Sequence, residues 1–307
     1  MESLKKDSQR KFIAVETSFF SRWYEDLNSY KKEDVQKLVA SGQLEFISGG
    51  WSMNDEAAAH YAAIIDNLSV GHQWLNATFG RCGISKTAWQ IDPFGHSREQ
   101  ASIFAQSGFD TFFLGRVDFQ DKEQRQQSHT LEFIWKSSPS IGQKNDIFTS
   151  ILPNVYWPPD NFCFDRFCFS SEIDNRNRYE KTEMLVNLAK DQAKNYSSQH
   201  TLFTFGMDFH YAVAEKWFKN LDLLLKTIDE MSEEWGVKAY YSTPTCYAKA
   251  LSEQPKYWPV KLDDFFPYAQ VEQTYWTGKL LFIFVSNLLI FFYRIFYVSS
   301  ILEVIDS

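Results

Sequence analysis

Trp89–Lys122 reads WQIDPFGHSREQASIFAQSGFDTFFLGRVDFQDK, and its order of element types decides the fold class. Lys86–Ile91 predicts a short buried strand, which Asp92 ends because Pro93 drives the residue before it towards extended backbone. Ser97 and Gln100 have the spacing of a capping box at a helix entrance. Ile103, Phe104 and the neighbouring alanines supply an apolar stripe, and Gly108 stands where a helix ends. A second strand, Thr111–Gly115, runs into Arg116, Asp118 and Asp121. Two strands joined by a helix imply parallel pairing, with polar residues delivered at the strands' carboxyl ends.

Working outward, Phe12–Glu16 reads as a strand, Ser18–Leu27 and Lys31–Ser41 as helices, and Leu44–Ile47 as the next strand. That strand ends at Gly49-Gly50-Trp51, where the glycines permit close approach by a ligand or another strand. Asn54, Asp55 and Glu56 open a long helix to about Thr78, its acids matched to the helix dipole. Beyond the opening stretch come a strand at Leu131–Lys136 and a proline-broken loop over Ser137–Asn177. Tyr156, Trp157, Phe162 and Phe164 in that loop suit an ordered, site-building segment. A helix over Arg178–Asn195 follows, then a strand over Thr201–Phe205 that ends in Gly206-Met207-Asp208. Helix Ala212–Met231, strand Val237–Tyr241 and a helix from Pro244 complete the alternation. This pattern predicts an α/β fold, either a barrel or a doubly wound sheet. In both, a site forms at the strands' carboxyl ends, where Asp92, Arg116 and Asp208 fall.

The net charge of −8 argues against nucleic acid as a partner, since phosphate binding needs basic surface. No glycine-rich phosphate motif is present, and the six histidines show no metal-binding pattern. The first residues lack the apolar run of a secretory signal, although sequons at Asn67, Asn76 and Asn195 hint at secretory origin. Cys163 and Cys168 are spaced for a small-loop disulfide or are free thiols. Composition shifts abruptly after Trp276-Thr277-Gly278, dividing a domain over 1–278 from a hydrophobic tail over 279–307. Within the tail, 280–305 is long enough to span a bilayer; it reads as a membrane helix, a buried helix or sequence foreign to the domain. Asp92 and Asp208 fit the pair of carboxylates that glycoside hydrolysis requires, or are a helix cap and a surface acid.

Eight blocks carry a resemblance: KFIAVETSFFSRWY, LEFISGGWSMNDEAAAHY, the opening stretch, FTSILPNVYWPP, FGMDFHY, FKNLD, YSTPTCY and DDFFPYA. In this order, from about residue 10 to 278, the sequence resembles the family 38 glycoside hydrolases, and among them the lysosomal acid α-mannosidases. The resemblance implies an incomplete seven-stranded (β/α) barrel with a hydrophobic helical tail. It implies a retaining exo-α-mannosidase that uses one zinc ion on mannose-terminated N-glycan oligosaccharides in the lysosome. By the same resemblance Asp92 is nucleophile and zinc ligand, Asp208 is general acid/base, and Phe94, Arg116 and Tyr156 bind substrate. The two carboxyls should lie about 5–5.5 Å apart, and Cys163 and Cys168 should pair. The family's other zinc ligands, a His-x-Asp pair and a histidine of a His-His-Asp block, match nothing in this sequence. One carboxylate falls short of the three protein ligands of a catalytic zinc site. The expectation is therefore a chain truncated at both ends and inactive as it stands, with a non-catalytic carbohydrate-binding fragment as the alternative. A metal-dependent carbohydrate deacetylase would need a His/Asp cluster. Membrane association would fall to residues 280–305.

Overall fold

The computed structural model describes residues 1–166, 168, 170–278 and 298–306. Helices alternate with ten strands among the described residues. These are β1 (Phe12–Ala14), β2 (Leu44–Phe46), β3 (Thr87–Gln90), β4 (Thr111–Leu114) and β5 (Glu132–Lys136). Then come β6 (Asp146–Ile151), β7 (His200–Gly206), β8 (Val237–Ser242), β9 (Val260–Lys261) and β10 (Val298–Asp306).

The strands form two mixed sheets. One runs β3-β4-β6-β5-β9, with β3 and β4 parallel, as the opening stretch predicts, β6 parallel to β4, and β5 antiparallel to β6. The other runs β2-β1-β10-β7, with β8 also on β10. Ser48 ties the two together: its N–H donates to Thr87 O at 2.8 Å and its hydroxyl accepts from Trp89 N at 2.7 Å. Ile13, Ile47, Trp89, Phe113, Leu202 and Tyr247 meet in a buried inner cluster fed by strands of both sheets. Each large side chain buried in this way contributes about 1.5–3 kcal/mol relative to exposure. The result is an α/β fold with helices packed on mixed sheets.

Four expectations change. Ser137–Asn177 is not one long loop, because it contains β6, a central strand bracketed by Pro139 and Pro153. The long helix begins at Tyr61, not near Asn54, and Glu56 is drawn away from it to a buried histidine. Its Gly71, not a ligand or strand, approaches the Gly49-Gly50 end of β2: a Cβ on Gly71 would sit 2.1 Å from Gly49 O. Finally, the described part of the tail is a strand. Val298–Asp306 runs antiparallel to β1, β7 and β8, while the rest of the predicted helical tail lies outside the described residues. Among the described residues, no helix is long and apolar enough to cross a membrane.

Candidate active site

Three strands in the two sheets deliver the predicted polar residues just past their carboxyl ends. Asp92 lies two residues beyond β3, Arg116 two beyond β4 and Asp208 two beyond β7. Gly115 makes the first two neighbours, since a Cβ there would stand 2.1 Å from Ile91 O. With the strand ends that close, Arg116 Nε and Nη2 reach Asp92 Oδ1 at 2.8 and 2.6 Å. Burial opposes the Arg116 charge, but Asp92, Tyr268 and Tyr156 outweigh it and raise its pKa, so the guanidinium stays cationic.

Aromatic faces enclose that cation. The Arg116 guanidinium carbon lies 4.9 Å from the Trp276 ring centre, 5.7 Å from Phe94 and 5.9 Å from Tyr156, all within cation–π range. Phe94 and Trp276 meet edge to face at 4.8 Å. The structure thus brings together Asp92, Phe94, Arg116 and Tyr156, and adds Trp276, which the sequence reading used only to mark a domain boundary.

Asp208 opens instead into a cavity of about 920 Å³. Trp157, Arg166, Phe209, His210 and the Cys163–Cys168 disulfide help to line it. Trp157 and Phe209 are 43% and 53% exposed, apolar faces beside a carboxylate. The two clusters adjoin through Tyr156 and Trp157, whose rings stack at 6.0 Å with planes 11° apart. Thr204, in β7, anchors that joint by donating its hydroxyl to Trp157 O at 3.1 Å.

A buried pair holds the loop after Asp92. Glu56 Oε1 meets His96 Nδ1 at 2.9 Å, and Glu56 Oε2 accepts from Ser97 N at 2.7 Å. Burial raises the Glu56 pKa, and His96 partly offsets this. Ser97 caps the helix Arg98–Gln106 as predicted, through Glu99 N at 3.0 Å. Gln100 does not complete a capping box, because its carbonyl accepts from Asn54 Nδ2. Sequence reasoning missed Glu56 by assigning it to a helix end. No local signal pairs it with His96, which lies 40 residues on.

A catalytic zinc does not fit the residues described here. No group of three or more His, Cys, Asp or Glu donors surrounds Asp92 among the described residues. Cys163, Cys168 and His210 do have donor atoms within 4.8 Å of one another, but both sulfurs are in the disulfide and cannot serve as thiolates.

Comparison with known proteins identifies the family. The profile described as Glycosyl hydrolases family 38 N-terminal domain matches residues 1–271. Lysosomal alpha-mannosidase of Bos taurus is 46% identical over 287 residues, which is 91% of this chain and 29% of the relative. The Homo sapiens protein of the same name is 46% identical over 286 residues, covering 91% of this chain and 28% of its own length. The chain thus spans under a third of these relatives. An alpha-mannosidase crystal structure from Enterococcus faecalis superposes with a TM-score of 0.57 at 15% identity, over 86% of this chain and 27% of that one, which speaks for the fold. With its α/β sheets and a profile match over most of its length, the chain belongs to glycosyl hydrolase family 38.

Proposed function

We propose that this chain forms the catalytic domain, over 1–278, of a retaining α-mannosidase acting on mannose-terminated oligosaccharides in the lysosome. In this reading its strands belong to the incomplete seven-stranded barrel that the family resemblance implies. The observation that carries the reading is the Asp92–Arg116 pair, set at adjacent strand ends and walled by Phe94, Tyr156 and Trp276. Aromatic faces suit the C–H face of a sugar ring, and a carboxylate beneath them suits attack on its anomeric carbon.

In this reading Asp92 attacks the anomeric carbon and forms a covalent glycosyl ester, while Asp208 protonates the departing oxygen. Asp208 then takes a proton from water as that water displaces Asp92, restoring both carboxyls. Arg116 fixes the direction of Asp92 through Nε and Nη2. The leaving-group sugars occupy the cavity beside Asp208, against Trp157 and Phe209. The zinc of the family would supply Lewis-acid and template chemistry. Among the described residues no set of three donors for it lies beside Asp92. A second reading, a non-catalytic carbohydrate-binding domain, would use the same aromatic wall without forming an ester.

An aryl α-mannoside with a fluorine at C2 separates the two. Mass spectrometry should find the mannosyl ester on the peptide carrying Asp92 in a chain that turns over, and none after Asp92→Asn. Mannose binding that survives Asp92→Asn and chelation, without any ester, replaces the enzyme by the binding domain.

A further inference from the structure

The backbone just after Asp208 is held in a conformation that side chains resist. Phe209 and Tyr211 have φ of +62° and +66°, the left-handed region disfavoured for residues with a Cβ. Such a segment persists only where its surroundings over-determine it. The restraint converges on one carboxylate, Asp165, which is 4% exposed. Its Oδ2 accepts from Tyr211 N at 2.9 Å and from Trp217 Nε1 at 2.9 Å. Its Oδ1 accepts from Arg166 N at 2.8 Å. The Tyr211 ring lies on Trp217 at 4.8 Å with planes 16° apart, and its hydroxyl donates to Phe205 O at 2.7 Å.

Asp165 sits within the short loop that the Cys163–Cys168 disulfide closes, and Cys168 N donates to Asp165 O at 3.2 Å. That loop is also a wall of the cavity containing Asp208. We propose that Asp165 is a positioning residue for Asp208: from a covalently closed loop, it fixes the Met207–Tyr211 segment and so aims the carboxyl of Asp208 into the cavity. The inference rests on the reading of Asp208 as proton donor. Burial opposes an ionised Asp165, yet the Trp217 indole, the Tyr211 amide and the Arg166 amide together hold its pKa below the ordinary carboxylate value. Its bonds are therefore charge-assisted and stronger than neutral ones.

Amide hydrogen exchange read by mass spectrometry tests this on the 307-residue chain. In Asp165→Asn, which keeps the shape and loses the charge, peptides spanning 205–213 should exchange at least about tenfold faster. Peptides spanning 86–97, around Asp92, should change less than about twofold. Unchanged protection over 205–213 overturns the proposal, and so does an equal loss over 86–97, which makes Asp165 a general stability residue. If Asp165→Asn does not accumulate, Trp217→Phe deletes one donor while keeping an aromatic ring, and should release the same segment by a smaller factor. In a preparation that turns over an aryl α-mannoside, Asp165→Asn should lower kcat more than about tenfold with KM moved less than about twofold. Asp208→Asn should abolish turnover without releasing 205–213, so failure at Asp165 and failure of the proton-donor reading are told apart.

Discussion

Glu56 and His96, 40 residues apart in sequence, face each other at 2.9 Å with neither side chain exposed to solvent. The contact joins the segment after β2 to the loop that carries Asp92. The same His96 is bonded through its backbone to Phe265 in both directions, at 3.2 and 2.8 Å. The Asp92 loop is thus fixed from two sides.

Glu56→Ala should cost about 3–5 kcal/mol, the range for removing one member of a buried pair and stranding the other. Glu56→Gln should cost less, because the amide can still accept from Ser97 N. Urea unfolding of the three proteins gives the comparison, and a loss below about 1 kcal/mol for Glu56→Ala would sink the claim that the pair holds the loop.

Arg116→Lys should behave as a real loss. Nε and Nη2 converge on one oxygen of Asp92, and an ammonium cannot reproduce that two-pronged approach or the flat contact with three aromatic rings. The expected cost is about 1.5–3 kcal/mol of stability, in line with hydrogen bonds to charged groups. The ester-forming step at Asp92 should slow in parallel, read as the rate of trapping by the fluorinated mannoside.

Gly71→Ala should invert the usual helix preference. Alanine normally gains about 1 kcal/mol over glycine in a helix. Here its Cβ would meet Gly49 O at 2.1 Å, a backbone atom that cannot turn aside. A net loss of about 1–2 kcal/mol is expected, overpacking at the upper end of its usual range less the helix gain. Thermal unfolding decides, and a stabilised variant contradicts the packing described.

Glu132 predicts the pH dependence of stability. Burial drives its pKa up to about 7, against the pull of the Tyr247 hydroxyl, which donates to Oε1 at 2.7 Å, and of Lys256. Below about pH 4.5 it is protonated in both folded and unfolded chains, so it adds no pH dependence there. Between about 4.5 and 7 the unfolded chain ionises first and stability falls as pH rises, by roughly 3 kcal/mol in all. Glu45 and Glu56 are raised by burial too and share the sign. Denaturant midpoints should therefore be higher at pH 5 than at pH 7, and Glu132→Gln should flatten the slope.

The sequence reveals the Asp92, Arg116 and Asp208 positions because each follows a strand whose buried run ends at a glycine or proline signal. It hides β6, since Pro139 and Pro153 on either side read as loop and the six residues between carry no alternation that separates them from it. It hides Glu56 and Asp165 for another reason. Their partners, His96 and Tyr211, are 40 and 46 residues away, and no local periodicity records a contact between loops. The described part of the tail, VSSILEVID, is a strand because an apolar stretch broken by a few polar residues suits a strand as well as a helix.

Tyr156 and Trp157 are consecutive, yet one faces Arg116 and the other lines the cavity of Asp208. A single peptide unit, about 3.8 Å between Cα atoms, therefore links the wall of one acid centre to the wall of the other. One residue inserted between Tyr156 and Trp157 would break their stacking and uncouple the two walls, with both carboxylates left untouched.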